Sequence, residues 1–181
     1  MSIEISFVIE TWNKHCYELR MTSFRTEDTP SYRFFMNFNG DKTSLSSVSK
    51  VLKDVNVPMW HVVLSQMPQT SKKDLPKTLY NGTYKICQFW RYIKHTKAFN
   101  NVVHLIFDKE SGSNMSFTCP LVSGTYVMQN IRVPPDTAIL KLMYWPNTMY
   151  SLIGTVYSQG QNKTMEKLCR YEINATVKKL C

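Results

Sequence analysis

The stretch Tyr32-Arg33-Phe34-Phe35-Met36-Asn37-Phe38 decides the fold class. Tyr32, Phe34, Met36 and Phe38 recur at every second position, with Arg33, Phe35 and Asn37 between them. A period of two sends alternate side chains to opposite faces of a strand, so this segment reads as a strand with one buried face. Working outward, most other segments repeat that rhythm. Met59-Trp60-His61-Val62-Val63-Leu64 is short and apolar and ends near Met67-Pro68, and Thr125–Val133 stops at Pro134-Pro135. Ala138–Trp145 runs into Pro146-Asn147 and is followed by Met149–Ser158, a pairing that reads as a hairpin with a short turn. Tyr171, Ile173, Ala175 and Val177 alternate with Glu172, Asn174, Thr176 and Lys178, and Ile3, Ile5, Phe7 and Ile9 alternate near the start. Leu45–Val55 fits a short helix or a strand equally well. β-Branched and aromatic residues dominate these runs, as pleated surfaces favour. The expected fold is mainly β, a sandwich or cup.

Residues 86–110 break the rhythm. Phe99, Val102, Val103, Ile106 and Phe107 fall on one face of a helix, and Ile86, Cys87, Trp90, Ile93 and Lys94 suggest a shorter helical turn before it. A helical insertion in a β domain is therefore expected.

Composition narrows the class. The chain has 181 residues, of which 43% are apolar and 19% charged, enough to bury a core and too apolar for wholesale disorder. One domain over 1–181 is expected, with 161–181 as a C-terminal strand and extension. Residues 1–10 contain two glutamates and no basic start, so they do not read as a signal peptide. Ser111–Ile131 and Leu142–Asn162 lack charge, but both carry Asn, Gly, Pro, Ser and Gln, which excludes a lipid-exposed span.

Cys16, Cys87, Cys119, Cys169 and Cys181 are widely spaced, with no Cys-x-x-Cys and no Cys/His cluster, so no metal site is expected. The spacing leaves two readings open: five thiols, or two disulfides with one cysteine left over. Four Asn-x-Ser/Thr sequons, at Asn81, Asn114, Asn162 and Asn174, favour secretion and glycosylation. Asn174 falls on the polar phase of its strand, where a glycan points outward.

The net charge is +9, and seven basic residues against Asp74 place +6 of it between Ser71 and Lys97. Tyr80, Tyr84, Trp90 and Tyr92 are interleaved with them. Basic and aromatic residues together can read nucleic acid, but no nucleic-acid motif accompanies them, so a solvated face is expected. A rim for anionic or polar headgroups is the intermediate reading. No Gly-x-Ser-x-Gly, His-Glu-x-x-His, Gly-x-Gly-x-x-Gly or phosphate loop occurs, and His15, His61, His95 and His104 stand apart, so neither an enzyme nor a cofactor is expected.

The middle of the chain carries a family pattern. Tyr80-Asn81-Gly82-Thr83-Tyr84-Lys85-Ile86-Cys87-Gln88-Phe89-Trp90 resembles a strand ending in a cysteine that opens a helical piece. Asn114-Met-Ser-Phe-Thr-Cys119-Pro120, followed by Gly124-Thr-Tyr126, is similar to the same family's Asn-x-x-x-x-Cys-Pro signature. The family is the insect-enriched secreted one that includes the CheB chemosensory proteins and is related to ganglioside-activator and ML lipid-recognition proteins. The resemblance is best over residues 55–160. It departs at Lys85-Ile86, where an Asp often precedes the cysteine.

The resemblance implies an immunoglobulin-like antiparallel β-sandwich opened into an apolar cup, without enzymatic activity. It implies a lipid or other apolar small molecule as partner, carried or presented in chemosensation such as pheromone detection. A membrane receptor or an anionic lipid surface would be a further partner. Cys87 would pair with Cys119, and Cys16 with Cys169 or Cys181. Phe34, Met36, Phe38, Trp60, Val62, Leu64, Leu140, Leu142, Tyr144, Leu152 and Val156 are the inward candidates for the cup wall, with Phe99, Val103 and Phe107 over its mouth. Ten methionines fit an adaptable wall. An Ig-like interaction module with close-packed sheets and an exposed apolar patch is the alternative.

Overall fold

Two antiparallel sheets face each other. The computed structural model describes residues 16–68, 75–95, 113–114, 119–160 and 162–181. The strands are β1 (Tyr17–Glu27), β2 (Tyr32–Phe38), β3 (Ser44–Val51), β4 (Pro58–Pro68), β5 (Lys77–Lys85), β6 (Gly124–Arg132), β7 (Thr148–Gln159) and β8 (Met165–Lys179). Helix α1 spans Ile86–His95 and α2 spans Ala138–Met143. The large sheet runs β1-β8-β7-β4-β5 and the small sheet β2-β3-β6. The expected strand at Ile3–Ile9 and the expected helix at Phe99–Phe107 lie outside the described residues.

The alternation read in β2 is the one observed. Tyr32, Phe34 and Met36 are buried, whereas Arg33, Phe35 and Asn37 are exposed. Leu45–Val55, undecided from sequence, supplies β3. Its inward positions Ser47 and Ser49 lie opposite Met36 and Phe34 and are fully buried. On the large sheet, β4 places Trp60, Val62, Leu64 and Gln66 in register with Val156, Gly154, Leu152 and Tyr150 of β7. Continuing across, Leu152 meets Ile173 and Tyr150 meets Ala175 of β8. This phase is the inner face. The opposite phase is largely polar, with Arg25, Glu27, Arg170, Glu172 and Asn174. There Glu27 bridges Lys167 at 2.6 Å and Arg170 at 3.3 Å.

β2 lies against β1 and β8, whereas α1 lies against β4 and β5 at the other side. The main core fills the interior with Tyr32, Phe34, Met36, Val51, Trp90, Ile93, Val156 and Cys169, against Trp60, Phe89 and Tyr171. A second cluster joins Leu140 of α2 to Tyr150 and Val177, with Leu64, Met143 and Tyr144 packed around it.

One expected element is different. Ala138–Trp145 is not the first arm of a hairpin, because Ala138–Met143 forms α2. Ala, Leu, Lys and Met are strong helix formers, and Asp136 secures the approach. The Asp136 carboxylate accepts the backbone N–H groups of Cys16 and Tyr17, each at 2.8 Å. Pro146-Asn147 forms a turn, as its sequence implies. Asn147 takes a left-handed backbone there (φ 56°), which Asn tolerates better than most residues.

Two disulfides tie the fold. Cys87, in the first turn of α1, bonds Cys119. Residues just beyond Cys119 dock by paired backbone hydrogen bonds between Val55 and Leu121, at 2.8 and 2.9 Å. Cys16 bonds Cys181. Cys169 is thus no disulfide partner: its side chain points inward from β8 and is 1% exposed, a free thiol in the core.

Burial pushes the Cys169 thiol up to about 12, and raises the buried Tyr32 hydroxyl as well. Both acids are neutral when folded, while the unfolded thiol ionises from about pH 8.5. The stability they contribute is therefore complete below that pH and is lost as the pH rises toward 12. The urea midpoint should hold level through neutral pH and fall steadily above about pH 9. A midpoint unchanged up to pH 11 would contradict this (about two units past the free-thiol value).

Candidate functional site: an apolar groove at the α2 end

The groove is made where β4 and β5 change register. Leu64 pairs with Tyr80 and Ser65 with Thr78, so Leu79 has no partner in the ladder. Such a bulge re-aims neighbouring side chains. Beyond it, Lys77, Gln66 and Tyr150 stand side by side across β5, β4 and β7. The opposite wall is the C-terminal end of α2. The Tyr150 hydroxyl donates a hydrogen bond to the Met143 carbonyl, which fixes that end over the sheet. Burial raises the Tyr150 hydroxyl's pKa, which keeps the donor protonated. Tyr144 packs edge-on against Tyr17, with ring centres 5.5 Å apart.

Between these walls lies a cavity of about 410 Å³, open to solvent and lined by Gln66, Lys77, Leu79, Leu142, Met143, Trp145 and Tyr150. That volume falls within the usual range of small-molecule sites. Its lining is mostly apolar, and its two flexible polar side chains, Gln66 and Lys77, are adjacent. Leu142 is 80% and Trp145 62% exposed, an unusual degree for such large apolar groups.

Of the residues expected to line a cup, only Leu142 lines this groove. Leu64, Leu140 and Tyr144 stand behind it in the second cluster. Phe34, Met36, Phe38, Trp60 and Val156 belong to the packed core at the α1 end. Val62 is buried and Leu152 half-buried on the inner face between the two. Phe99, Val103 and Phe107 lie outside the described residues. Gln66, Lys77, Leu79, Met143, Trp145 and Tyr150 were not foreseen as lining.

Among the described residues, the basic stretch is divided along β5. Lys77 and Lys85 sit at opposite ends of β5, about 25 Å apart at the usual strand rise. Lys72, Lys73 and Lys97 lie outside the described residues. Between those ends, Tyr80 and Tyr84 lie with parallel rings, and Tyr84 meets Phe89, which in turn meets Trp60. This aromatic row continues the inner face from the groove toward α1.

The four sequons differ in their surroundings. Asn162 is exposed in the turn joining β7 and β8, and Asn81 is exposed on edge strand β5, where its Oδ1 accepts from the His61 ring at 2.8 Å. Asn174 faces the polar side as expected, but its Nδ2 donates to Ser23 at 3.1 Å and Glu172 at 3.3 Å. Asn114 pairs with β6, accepting from Val127 N–H at 2.5 Å and donating to the Thr125 carbonyl at 3.2 Å.

Among the described residues no three His, Cys, Asp or Glu side chains converge as metal ligands, and no helix is long and apolar enough to cross a membrane. A family model described as "Protein of unknown function (DUF1091)" matches residues 50–152. That span runs from the end of β3 into β7 and contains every residue of the groove and the Cys87–Cys119 bond. A search among curated proteins finds no match.

Proposed function

Since the chain belongs to the DUF1091 family, proteins of unknown function, we propose that it is a secreted, non-enzymatic binder of a lipid or similar apolar small molecule. The observation that carries this reading is the groove of about 410 Å³ under α2, walled by Leu79, Leu142, Met143 and Trp145. Each methylene moved from water into such a site gains about 0.8 kcal/mol. Some eight methylenes would supply about 6 kcal/mol, an affinity in the tens of micromolar. The resemblance to CheB and ganglioside-activator proteins supports a carrier or presenter, with chemosensation as its setting. Two disulfides and exposed sequons at Asn81 and Asn162 support secretion.

Native mass spectrometry of protein secreted from insect cells tests this reading. Retained or loaded lipid is expected, and repeated failure to load any would overturn it. Leu142→Asp should weaken loading at least tenfold, because a carboxylate replaces apolar contact at the groove wall. The melting temperature should stay within a degree or two, since Leu142 packs little in the free protein. Unchanged loading would show that the ligand sits elsewhere.

The outward apolar side chains of Ile139, Leu142 and Trp145 favour a second reading, an Ig-like module that binds another protein through this patch. In that case Leu142→Asp abolishes partner capture, and no lipid is found.

A further inference from the structure

The groove is apolar along most of its length and charged at one end. Lys77 and Gln66 are direct cross-strand neighbours, so their side chains leave the same face with Cβ atoms about 5 Å apart. Both line the cavity, and among the described residues no acidic one does. The ion pairs among the described residues are those of Arg20, Lys167 and Arg170, so the Lys77 ammonium is not neutralised by a described carboxylate. An ammonium beside a carboxamide offers a compact set of hydrogen-bond donors with a single positive charge. Leu79, Leu142, Met143 and Trp145 continue from it as a wall for hydrocarbon.

Building on the lipid-binding reading, we propose that the groove's ligand is a free long-chain carboxylate. Its head lies between Lys77 and Gln66, and its chain runs along α2. A single charge at one end of an apolar trough complements such a molecule in both respects. A cationic amphiphile would meet repulsion from Lys77, and a neutral one would leave the ammonium beside the ligand without a counter-charge. Lys77 is exposed, so a carboxylate need not be fully desolvated to pair with its ammonium.

The test compares oleate with oleyl alcohol, which share one chain and differ in head charge, each titrated below its aggregation limit by displacement of a fluorescent probe. Wild-type protein should prefer oleate about five- to tenfold at low salt, the range of one charge-assisted contact at a partly exposed site. The preference should shrink as salt rises, because an exposed pair is screened. Lys77→Gln should bring the ratio of the two affinities close to one, and Lys77→Arg should keep it. Equal binding of both ligands by wild-type protein overturns the proposal and leaves the lipid-binding reading standing. A preference that survives Lys77→Gln overturns it as well. Binding of neither ligand overturns the proposal together with the reading it rests on.

Discussion

Replacing both Cys16 and Cys181 by serine should lower the free energy of unfolding by about 5 kcal/mol. The bond joins residues separated by 165 positions, so it constrains nearly the whole described chain in the unfolded state. On the chain-entropy account a loop of that size is worth about 5 kcal/mol, against about 4 for the 32-residue separation of Cys87 and Cys119. Domains of this kind have only about 5–15 kcal/mol in total, so the loss would place the variant near the edge of folding. The native ladder should survive it. β1 and β8 pair from Tyr17 and Lys179 inward, Leu180 N–H donates to the Cys16 carbonyl at 2.8 Å, and Asp136 holds the Cys16 and Tyr17 amides. The effect therefore acts mainly through the denatured chain, and the denaturant dependence should steepen as that chain expands. Guanidinium titration of the double variant checks this. A loss below 1 kcal/mol would show that the cross-link does not govern stability. Peptide mapping should give Cys16–Cys181, Cys87–Cys119, and a Cys169 thiol that reacts only after unfolding.

What could be read from the sequence follows from where water reaches the chain. β2 was legible because its two faces differ completely: Phe34 and Met36 go in, Arg33 and Asn37 stay out. β3 was ambiguous because three of its four buried positions are serines, Ser44, Ser47 and Ser49, which carry no apolar signal. α2 was misread because Leu140 and Leu142, two apart, mimic a strand. On a helix those positions lie about 200° apart, and the structure shows the result: Leu140 is 1% exposed and Leu142 80%. The propensities of Ala138–Met143 were the signal for a helix. The resemblance gave the Cys87–Cys119 bond and left the partner of Cys16 open between two residues. Only the β1–β8 ladder decides it, because it brings Cys181 to Cys16 and turns Cys169 inward. The groove was the least legible part. It joins Gln66, Lys77 and Trp145 across three separate elements, and the bulge that turns Leu79 and Lys77 toward it depends on strand pairing that no local pattern reveals.

Gly154→Ala should cost about 3–5 kcal/mol, a large effect for one added methyl group. Gly154 of β7 sits between Val62 and Tyr171 on the inner face, and the Tyr171 ring lies across it. A Cβ at Gly154 would stand 2.1 Å from Tyr171 Cζ and 2.3 Å from its hydroxyl oxygen. The ring has nowhere convenient to go. Its hydroxyl accepts the Trp60 indole N–H at 2.9 Å, and its face packs against Phe34 with ring centres 5.3 Å apart. Moving it strains the core, at about 1–3 kcal/mol, and leaves the indole N–H without its partner, at a similar cost. Gly82 on β5 offers the contrast. A Cβ there meets the Tyr80 hydroxyl at 2.3 Å, but that side chain is exposed at the sheet edge and can swing away, so Gly82→Ala should cost under about 1 kcal/mol. A double-mutant cycle separates ring displacement from any general intolerance of β7. In a Tyr171→Ala background the cost of Gly154→Ala should fall toward zero, a coupling of about 3 kcal/mol. Additive costs would mean that the ring is not what excludes the methyl group.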